Sequence, residues 1–325
     1  MVKLSVIVPF HNVRPYAPDA IRSLRANARE DVEFVLVDDA STDGTGDVLD
    51  RAERELPGAV LIRRTENGVS GARNTGIDAA RGEYLTFMDG DDFAAPGYFG
   101  RLLDCIEALG CNFVRTDHVR FTGGRRTLHR VPFGPRDTVV DARTVILPED
   151  RSTPVDYPYS WAGAYHRRLV DEGLLHFPED LRTAEDRPWI WALHRKGGSF
   201  AVPSEFGIFY RRGVTSSLTQ IGDTRQLDFV RSFDRVLTET AEDPDADRFL
   251  PKAVRTYCAI ISHHLATIDK FEPQVARRLR SLSASALRRM PQDLLNDTLD
   301  SMDIARATQL RRLRRRPSTA SEAVA

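Results

Sequence analysis

The sequence lacks the features that mark several familiar classes of protein. Its longest apolar runs, such as residues 4–10, are far shorter than the roughly 18 residues of a membrane-spanning helix, so an integral membrane protein is not expected. Its three cysteines show no CxxC spacing, which argues against a disulfide framework or a structural zinc site. No GxGxxG, GxxxxGKS or GxxxxGKT motif occurs, so the dehydrogenase and P-loop classes are excluded.

An excess of charge is absent as well, because 46 basic residues face 47 acidic ones and the formal net charge is −1. A nucleic-acid partner is therefore not expected. Hydrophobic residues make up 41% and charged residues 29%, which is ordinary for a soluble globular protein. The first apolar run continues directly into His11 and Asn12, which is not typical of a secretory signal. We therefore expect a cytoplasmic protein.

Continuous apolar strands alternate with amphipathic helices in the first 120 residues. Strands are predicted at residues 4–10, 33–38, 60–62, 83–88 and 112–117, and helices near residues 21–24, 48–52, 70–80 and 96–109. This alternation predicts an α/β fold with a mostly parallel, Rossmann-like sheet covered by helices on both faces. From about residue 226 the pattern is mostly helical, and Pro273 and Pro291 are expected helix starts.

Polar clusters follow three of the predicted strands: His11–Asn12, Asp38–Asp39 and Asp89–Asp92. Ligands of parallel α/β sheets bind at the carboxyl ends of the strands, so we expect a site where these clusters meet. The dense carboxylates of Asp89–Asp92 suggest Mg²⁺ or Mn²⁺, which often binds substrate phosphates too. The alternative is that they only cap the following helix.

Two further segments could contact a ligand. An acidic side chain of Asp38–Asp39 could accept a hydrogen bond from a base or a ribose, but residues 38–45 also have the composition of a turn. Residues 67–74 precede a helix, where backbone N–H groups and Arg73 could meet a phosphate.

Taken together, four motifs resemble the family 2 glycosyltransferases. They are SVIVPFHN, VDDASTDGT, NGVSGARNTG and YLTFMDGDD, in the family's order across about 92 residues. The resemblance implies a GT-A fold, a nucleotide-diphosphate-sugar donor, a divalent metal (Mn²⁺ or Mg²⁺) and inversion at the anomeric carbon.

The resemblance also implies roles for individual residues in donor binding. Pro9 and Phe10 would line the nucleotide, although the family often has Tyr where Phe10 stands. Asp39 would bind the base, most often uracil, and Arg73 would lie beside the base or the diphosphate. Asp89 and Asp91 would form the family's Asp-x-Asp metal motif, with Asp91 the direct ligand. The other residues assigned to donor binding are Asn12, Asn67 and Gly90.

Residues 183–189 resemble the family's Glu-Asp element, in which Asp186 would be the catalytic base. Pro188 indicates that a helix starts just after Asp186, and its N-terminus would help to keep the carboxylate ionised. The alternative is that Glu185 and Asp186 only cap this helix. Glu185, Trp161 and Trp189 would contact the acceptor. The alternative for the two tryptophans is a position in the core, where large aromatic side chains lie more often.

Residues 210–217 resemble a later loop of the family that closes over the diphosphate. Either Arg211 or Arg212 could bind phosphate there, and an ordinary surface loop is the alternative.

We therefore expect a GT-A catalytic domain at residues 1–222, with a nucleotide-sugar half at 1–118 and an acceptor half at 119–222. A helical region at 223–316 and a disordered tail at 317–325 would follow. The helical region would serve acceptor binding or self-association into a homo-oligomer. Residues 271–325 hold 11 Arg against six acidic residues, so peripheral contact with anionic lipids at the inner face of the membrane is a further expectation.

The expected function is that of an inverting glycosyltransferase that uses a UDP-sugar and a saccharide or cell-envelope polymer, as in polysaccharide biosynthesis. Two alternatives remain. A nucleotidyltransferase would need a Gly-rich basic loop after the first strand, and residues 9–12 are not one. A catalytically silent binding module would have little reason to keep Asp91 and Asp186.

Overall fold

The computed structural model describes residues 1–66, 68–213 and 222–315. The chain divides into a first unit, Met1–Val145 with Thr153–Gln220, and a second unit, Ile146–Ser152 with Ile221–Ala325. Residues 317–325, predicted to be disordered, lie outside the described residues, and so do residues 214–217 of the predicted 210–217 loop. The boundary between a donor half and an acceptor half stays a prediction.

The strands of the first unit form two sheets. In the large sheet the order is β3-β2-β1-β4-β10-β6-β11-β9, and in the small sheet it is β5-β12-β7-β8. The strands are β1 Leu4–Phe10, β2 Val32–Asp39, β3 Ala59–Arg64, β4 Tyr84–Phe87, β5 Phe93–Ala94, β6 Phe113–Arg115, β7 Asp117–Thr122, β8 Arg125–His129, β9 Val140–Asp141, β10 Gly163–His166, β11 Ser199–Ala201 and β12 Phe206–Arg211.

The first four strands of the large sheet are parallel, as their continuous apolar runs predict. Every residue of β2 is buried. Because successive side chains of a strand point to opposite faces, this burial requires cover on both faces of the sheet. β10 then pairs antiparallel with both β4 and β6, which makes the sheet mixed rather than purely parallel.

The helices of the first unit follow the strands closely in sequence. They are α1 Ala17–Arg25, α2 Thr45–Glu55, α3 Val69–Ala79, α4 Tyr98–Leu109, α5 Arg168–Asp171 and α6 Asp186–Lys196. The helix expected from Pro96 begins two residues later, at Tyr98. The strand predicted at residues 112–117 is in fact two strands, because β6 ends at Arg115 and β7 begins at Asp117 in the other sheet.

The described part of the second unit is mainly helical. Its helices are α7 Asp228–Ala241, α8 Ala246–Ala266, α9 Pro273–Arg289, α10 Gln292–Ser301 and α11 Ile304–Arg314. Pro273 is the first residue of α9 and Pro291 directly precedes α10, as predicted. Fully buried side chains such as Phe233, Leu279 and Leu310 form its core. Within the described ranges, no helix combines the length and the apolar character needed to cross a membrane.

Candidate functional site

The polar clusters that follow β1, β2 and β4 lie together at one edge of the large sheet. His11 Nδ1 lies 2.6 Å from the backbone oxygen of Asp39, which joins the ends of β1 and β2. The Gly90 N–H donates to the Pro9 carbonyl oxygen at 3.1 Å, which joins the ends of β4 and β1. β1 is the strand at which the order of the parallel sheet reverses, and a crevice opens at such a point.

Gly90 allows the loop after β4 to approach β1 closely. A Cβ atom at this position would lie 2.5 Å from the Phe10 ring and 2.8 Å from the Pro9 carbonyl oxygen. Non-bonded carbon contacts are most favourable at about 3.5–4.0 Å, so a larger side chain would push the two strand ends apart. Gly90 therefore sets the position of Asp89 and Asp91 beside the end of β1.

The three carboxylates of this loop have different surroundings. Asp92 is fully buried, and its Oδ1 accepts the Arg211 backbone N–H at 2.6 Å, which ties the loop to β12. Burial and the Asp91 charge raise the pKa of Asp92 well above its ordinary value. Burial and, after it, the Asp89 charge raise the pKa of Asp91 to about 6. Asp92 is thus a structural anchor, whereas Asp89 and Asp91 are partly exposed.

Asp89 and Asp91 have the donor chemistry of a divalent-cation site. Their oxygens are hard ligands, and a cation would offset the repulsion that contributes to the raised pKa of Asp91. Among the residues that the structure describes, no group of three or more His, Cys, Asp or Glu side chains could hold a metal ion. Mg²⁺ commonly binds one or two carboxylates together with substrate phosphates. The two residues therefore fit Mn²⁺ or Mg²⁺ in a site that a diphosphate would complete.

Arg73 of α3 connects this loop to the start of α6. Its Nη2 donates to Asp89 Oδ1 at 3.0 Å and its Nη1 to Glu185 Oε1 at 2.7 Å. The side chain is buried, and its guanidinium lies 5.1 Å from the centre of the Phe177 ring. Burial alone would lower the pKa of Arg73, but the carboxylates of Asp89 and Glu185 outweigh it and raise that pKa. Arg73 thus joins two motifs that are far apart in the sequence.

Asp186 is the first residue of α6, and Glu185 precedes it as the N-cap. Ala184 has a positive φ of 58°, a conformation that is uncommon for residues other than glycine and that turns the chain into the helix. Burial and the Glu185 charge raise the pKa of Asp186 to about 7. The helix N-terminus favours the ionised carboxylate, but burial and the Glu185 charge outweigh that effect. Its side chain keeps 28% exposure, which leaves it accessible to a proton donor.

The Asp39 side chain is buried beneath the start of α3. Its Oδ2 accepts the Gly68 N–H at 2.7 Å, and its Oδ1 lies 3.3 Å from Arg64 Nη1. Asn12 has a positive φ of 51°, and its Oδ1 accepts the Thr42 N–H at 2.8 Å, so this side chain connects the loops after β1 and β2. Asn67, also predicted to bind the donor, lies outside the described residues.

Arg211 and Arg212 differ in their surroundings. Arg211 Nε donates to the Asp91 carbonyl oxygen at 2.9 Å, and its guanidinium lies 5.1 Å from the Tyr16 ring centre. Arg212 is exposed, and its Nη1 donates to the Tyr210 hydroxyl at 3.1 Å. Of the two, Arg211 is an anchor of the acidic loop, and Arg212 is the one with a solvent-accessible guanidinium.

The three residues predicted to contact the acceptor are buried. Trp189 is 2% exposed, stacks on Phe177 and donates its indole N–H to the Leu175 carbonyl oxygen. Trp161 is 3% exposed and packs against Tyr159. Both rings belong to the core, which was the alternative interpretation. Glu185 is committed to Arg73 and is better described as a residue that positions it.

Two residues of this region were missed in the sequence. Phe177 covers the Arg73 guanidinium, and no local pattern distinguishes it from an ordinary core aromatic residue. Arg64 pairs with Asp39, and here a signal existed. The dipeptides Asp38-Asp39 and Arg63-Arg64 end two neighbouring parallel strands, so pairing of the strands in register brings opposite charges together.

A family model described as "Glycosyl transferase family 2" matches residues 5–171, just over half of the chain. The chain is 32% identical to the glycosyltransferase EpsJ of Bacillus subtilis over 225 residues, which cover 67% of this chain and 63% of EpsJ. It is 35% identical to the poly(ribitol-phosphate) beta-glucosyltransferase of Bacillus spizizenii over 96 residues, which cover 28% of this chain and 15% of that protein. It thus spans less than two thirds of either relative.

The fold is similar to that of a solved structure, S. aureus TarS 1-349 in complex with UDP-GlcNAc. The superposition has a TM-score of 0.70 and covers 97% of this chain and 92% of that one, at 17% sequence identity. This likeness confirms the predicted GT-A fold, with its large mixed sheet and its helical C-terminal part.

Proposed function

This chain belongs to glycosyl transferase family 2, and we propose that it transfers a sugar from a nucleotide-diphosphate donor to a hydroxyl group of a saccharide or cell-envelope polymer. The transfer would invert the anomeric carbon, with Asp186 as the general base and a divalent metal at Asp89 and Asp91.

The observation that carries this proposal is the buried bridge made by Arg73. It holds Asp89, at one end of the acidic loop, and Glu185, which adjoins Asp186, through contacts of 3.0 Å and 2.7 Å to a single guanidinium. Arg73 thereby connects the acidic loop with the start of α6, and the proposal assigns these two acidic elements different tasks. An inverting transfer needs that arrangement, because one carboxylate must act on the acceptor while the other side of the sugar faces the diphosphate.

The raised pKa of Asp186 suits the role of a base near neutral pH. Its carboxylate would take the proton of the acceptor hydroxyl as that oxygen forms a bond to the anomeric carbon. The bond from this carbon to the diphosphate oxygen breaks, and its electron pair leaves with the diphosphate. Mn²⁺ or Mg²⁺, when bound, would supply a Lewis acid that offsets the charge on the leaving group. Asp89 and Asp91 would hold the ion, and Arg212 is available to contact phosphate oxygens.

A uridine nucleotide is the proposed donor. The TarS structure that shares this fold is a complex with UDP-GlcNAc, and Asp39 offers a carboxylate beside the end of β1 that can accept an N–H of the base. Pro9 and the segment around Asn67 would complete the nucleotide site. The Phe10 side chain is fully buried against the loop after β4, so it would support this site from below rather than line it.

The proposed acceptor is a polymer of the cell envelope. It is supported by the name of one relative, a poly(ribitol-phosphate) beta-glucosyltransferase, and by that of another, a putative teichuronic acid biosynthesis glycosyltransferase, TuaG of Bacillus subtilis. An acceptor of this kind agrees with the proposed contact of the basic C-terminal region with anionic lipids. Self-association through the C-terminal helices stays a prediction.

Calorimetry with a panel of nucleotide sugars, with and without Mn²⁺, tests the proposal. We expect wild-type protein to bind one UDP-sugar in a metal-dependent manner and Asp91→Ala to lose that binding. Asp186→Asn should bind the donor normally but release UDP at least about 100-fold more slowly in the presence of acceptor, which is typical of a lost general base.

Asp171→Asn is the matched control, because this carboxylate is exposed at the end of α5 and should leave both binding and turnover unchanged. Nucleotide binding without metal dependence would contradict the metal site. Donor binding without turnover on any acceptor would favour a silent binding module, and no nucleotide binding at all would overturn the proposal.

A further inference from the structure

Two neighbouring ion pairs connect the carboxyl ends of β2 and β3. The parallel register places Asp38 opposite Arg63 and Asp39 opposite Arg64. Arg63 Nη1 lies 2.9 Å from Asp38 Oδ2, and Arg64 Nη1 lies 3.3 Å from Asp39 Oδ1. Because successive side chains alternate between the faces of a sheet, the two pairs lie on opposite faces.

The contacts of the pair formed by Asp38 and Arg63 support the fold. Arg63 also pairs with Asp50 of α2, and half of its side chain is exposed. The second Asp38 oxygen, Oδ1, accepts the Ser41 N–H and so holds the turn after β2. This pair therefore links β2, β3 and α2 on the face away from α3.

The pair formed by Asp39 and Arg64 lies under the start of α3 instead. Arg64 Nη1 donates to the Gly68 carbonyl oxygen at 3.2 Å, and the Gly68 N–H donates to Asp39 Oδ2. Asp39 is only 3% exposed, and within residues 1–66, 68–213 and 222–315 no donor makes a hydrogen bond to its Oδ1. A buried carboxylate oxygen is thus left with unused acceptor capacity next to a guanidinium that has further N–H groups.

Gly71 provides the space for the Arg64 side chain. A Cβ atom at this position would collide with the guanidinium of Arg64. Glycine inside a helix costs about 1 kcal/mol relative to alanine, so the helix itself would favour a larger residue here. The glycine is explained by the close approach of Arg64 to α3.

We propose that Arg64 is a specificity-determining residue that acts together with Asp39 to recognise a uracil base; this rests on the proposed function, in which Asp39 meets the base. Arg64 holds the Asp39 carboxylate in one orientation, so that an oxygen can accept the N3–H of uracil. Its remaining N–H groups can donate to a carbonyl oxygen beside N3. Cytosine presents a lone pair at N3, which the carboxylate repels, so the pair distinguishes these two pyrimidines.

Calorimetry with UMP and CMP in the absence of divalent metal isolates this contact from the acidic loop. We expect wild-type protein to prefer UMP. Arg64→Ala should weaken UMP binding by about tenfold or more, as for the loss of a hydrogen bond to a charged group. It should also lower the ratio of the affinity for UMP to the affinity for CMP. Gly71→Ala should do the same through displacement of the guanidinium, while its melting temperature stays within about 3 °C of wild type. Arg63→Ala, the matched control, should retain the UMP preference.

The outcomes separate the two levels of the proposal. If Arg64→Ala and Gly71→Ala keep the wild-type affinity for UMP and the wild-type ratio of UMP to CMP, the role of Arg64 is overturned. An equal loss in Arg63→Ala and Arg64→Ala overturns it too, because both pairs would then only support the fold. If wild-type protein binds no uridine nucleotide, with or without metal, both the role of Arg64 and the proposed function are overturned.

Discussion

Asp186 experiences opposing influences on its protonation. As the first residue of α6 it lies at the positive end of a helix dipole, which favours the ionised form. Burial and the adjacent Glu185 favour the neutral form. Their effect exceeds that of the dipole, since the pKa of Asp186 is raised to about 7. A terminal dipole is typically worth less than 1 kcal/mol at a surface, whereas each pKa unit corresponds to about 1.4 kcal/mol.

A dependence of activity on pH follows from the raised pKa of Asp186. The base works only when it is ionised, so kcat/KM should fall about tenfold per unit below pH 7 and reach a plateau above it. Initial rates of UDP release between pH 5 and 9, with saturating metal, measure this profile. Glu185→Gln should move the acidic limb to lower pH, because it removes a negative neighbour and leaves Arg73 and Arg187 nearby. A profile that is flat across this range would contradict the role of Asp186.

At the scale of elements, Arg73 joins α3, β4 and α6 through a single guanidinium. Arg73→Met should lower the free energy of unfolding by about 3–5 kcal/mol, because it leaves the largely buried carboxylate of Glu185 without its partner. Urea denaturation monitored by circular dichroism measures the loss. Arg25→Met, which removes an exposed ion pair with Glu55, should cost about 1 kcal/mol or less. Equal losses in the two variants would show that the bridge adds nothing beyond a surface pair.

The close approach of β1 and the loop after β4 gives a second prediction at this scale. Gly90→Ala should destabilise the protein by about 1–3 kcal/mol, because the new methyl group would overlap the Phe10 ring and the Pro9 carbonyl oxygen. It should also weaken metal-dependent donor binding by displacing Asp89 and Asp91. Thermal unfolding and calorimetry measure the two effects. Gly134→Ala has open space around its Cβ position and should change neither; a silent Gly90→Ala would argue that this loop is loosely packed.

At the scale of the whole molecule, positive charge is concentrated near the C-terminus although the net charge is −1. Arg289 pairs with Asp234, and Arg311 with Asp300. Four other arginines of α9 and α11 are exposed, and in the described part of the chain they make no such ion pair: Arg277, Arg278, Arg306 and Arg312. Charges without local partners are available to an anionic surface.

Sedimentation with phosphatidylglycerol vesicles tests that availability. We expect binding at low ionic strength that decreases as salt is added. At about 1 kcal/mol per basic residue, replacing these four arginines by Gln should reduce partitioning by roughly two to three orders of magnitude. Substitution is preferable to truncation at Thr308, because truncation would also remove the buried Leu310 and Leu313. Unchanged sedimentation of the fourfold variant would rule out the C-terminal contact.

Residues 112–117 illustrate a limit of prediction from local pattern. Their composition predicts one strand, but β6 pairs with β10 of the large sheet and β7 pairs with β12 of the small one. Strand propensity is a local property, and it predicted the extended conformation of this segment correctly. The choice of partner depends on residues about 50 and 90 positions further along the chain, which no short window contains.

The sequence by itself determined the fold class and the meeting of the polar segments after β1, β2 and β4 at one edge of the sheet. Apolar periodicity and polar strand ends are local features, and a parallel sheet brings such ends together wherever they occur. Only the tertiary structure decided which side chains are accessible to a ligand and which are buried or bound to other residues. Trp189 is buried in the core, and Arg211 binds the acidic loop. Arg73 binds Glu185, which is 112 positions away in the sequence. Burial and long-range partners come from packing, and a side chain's chemistry depends on both.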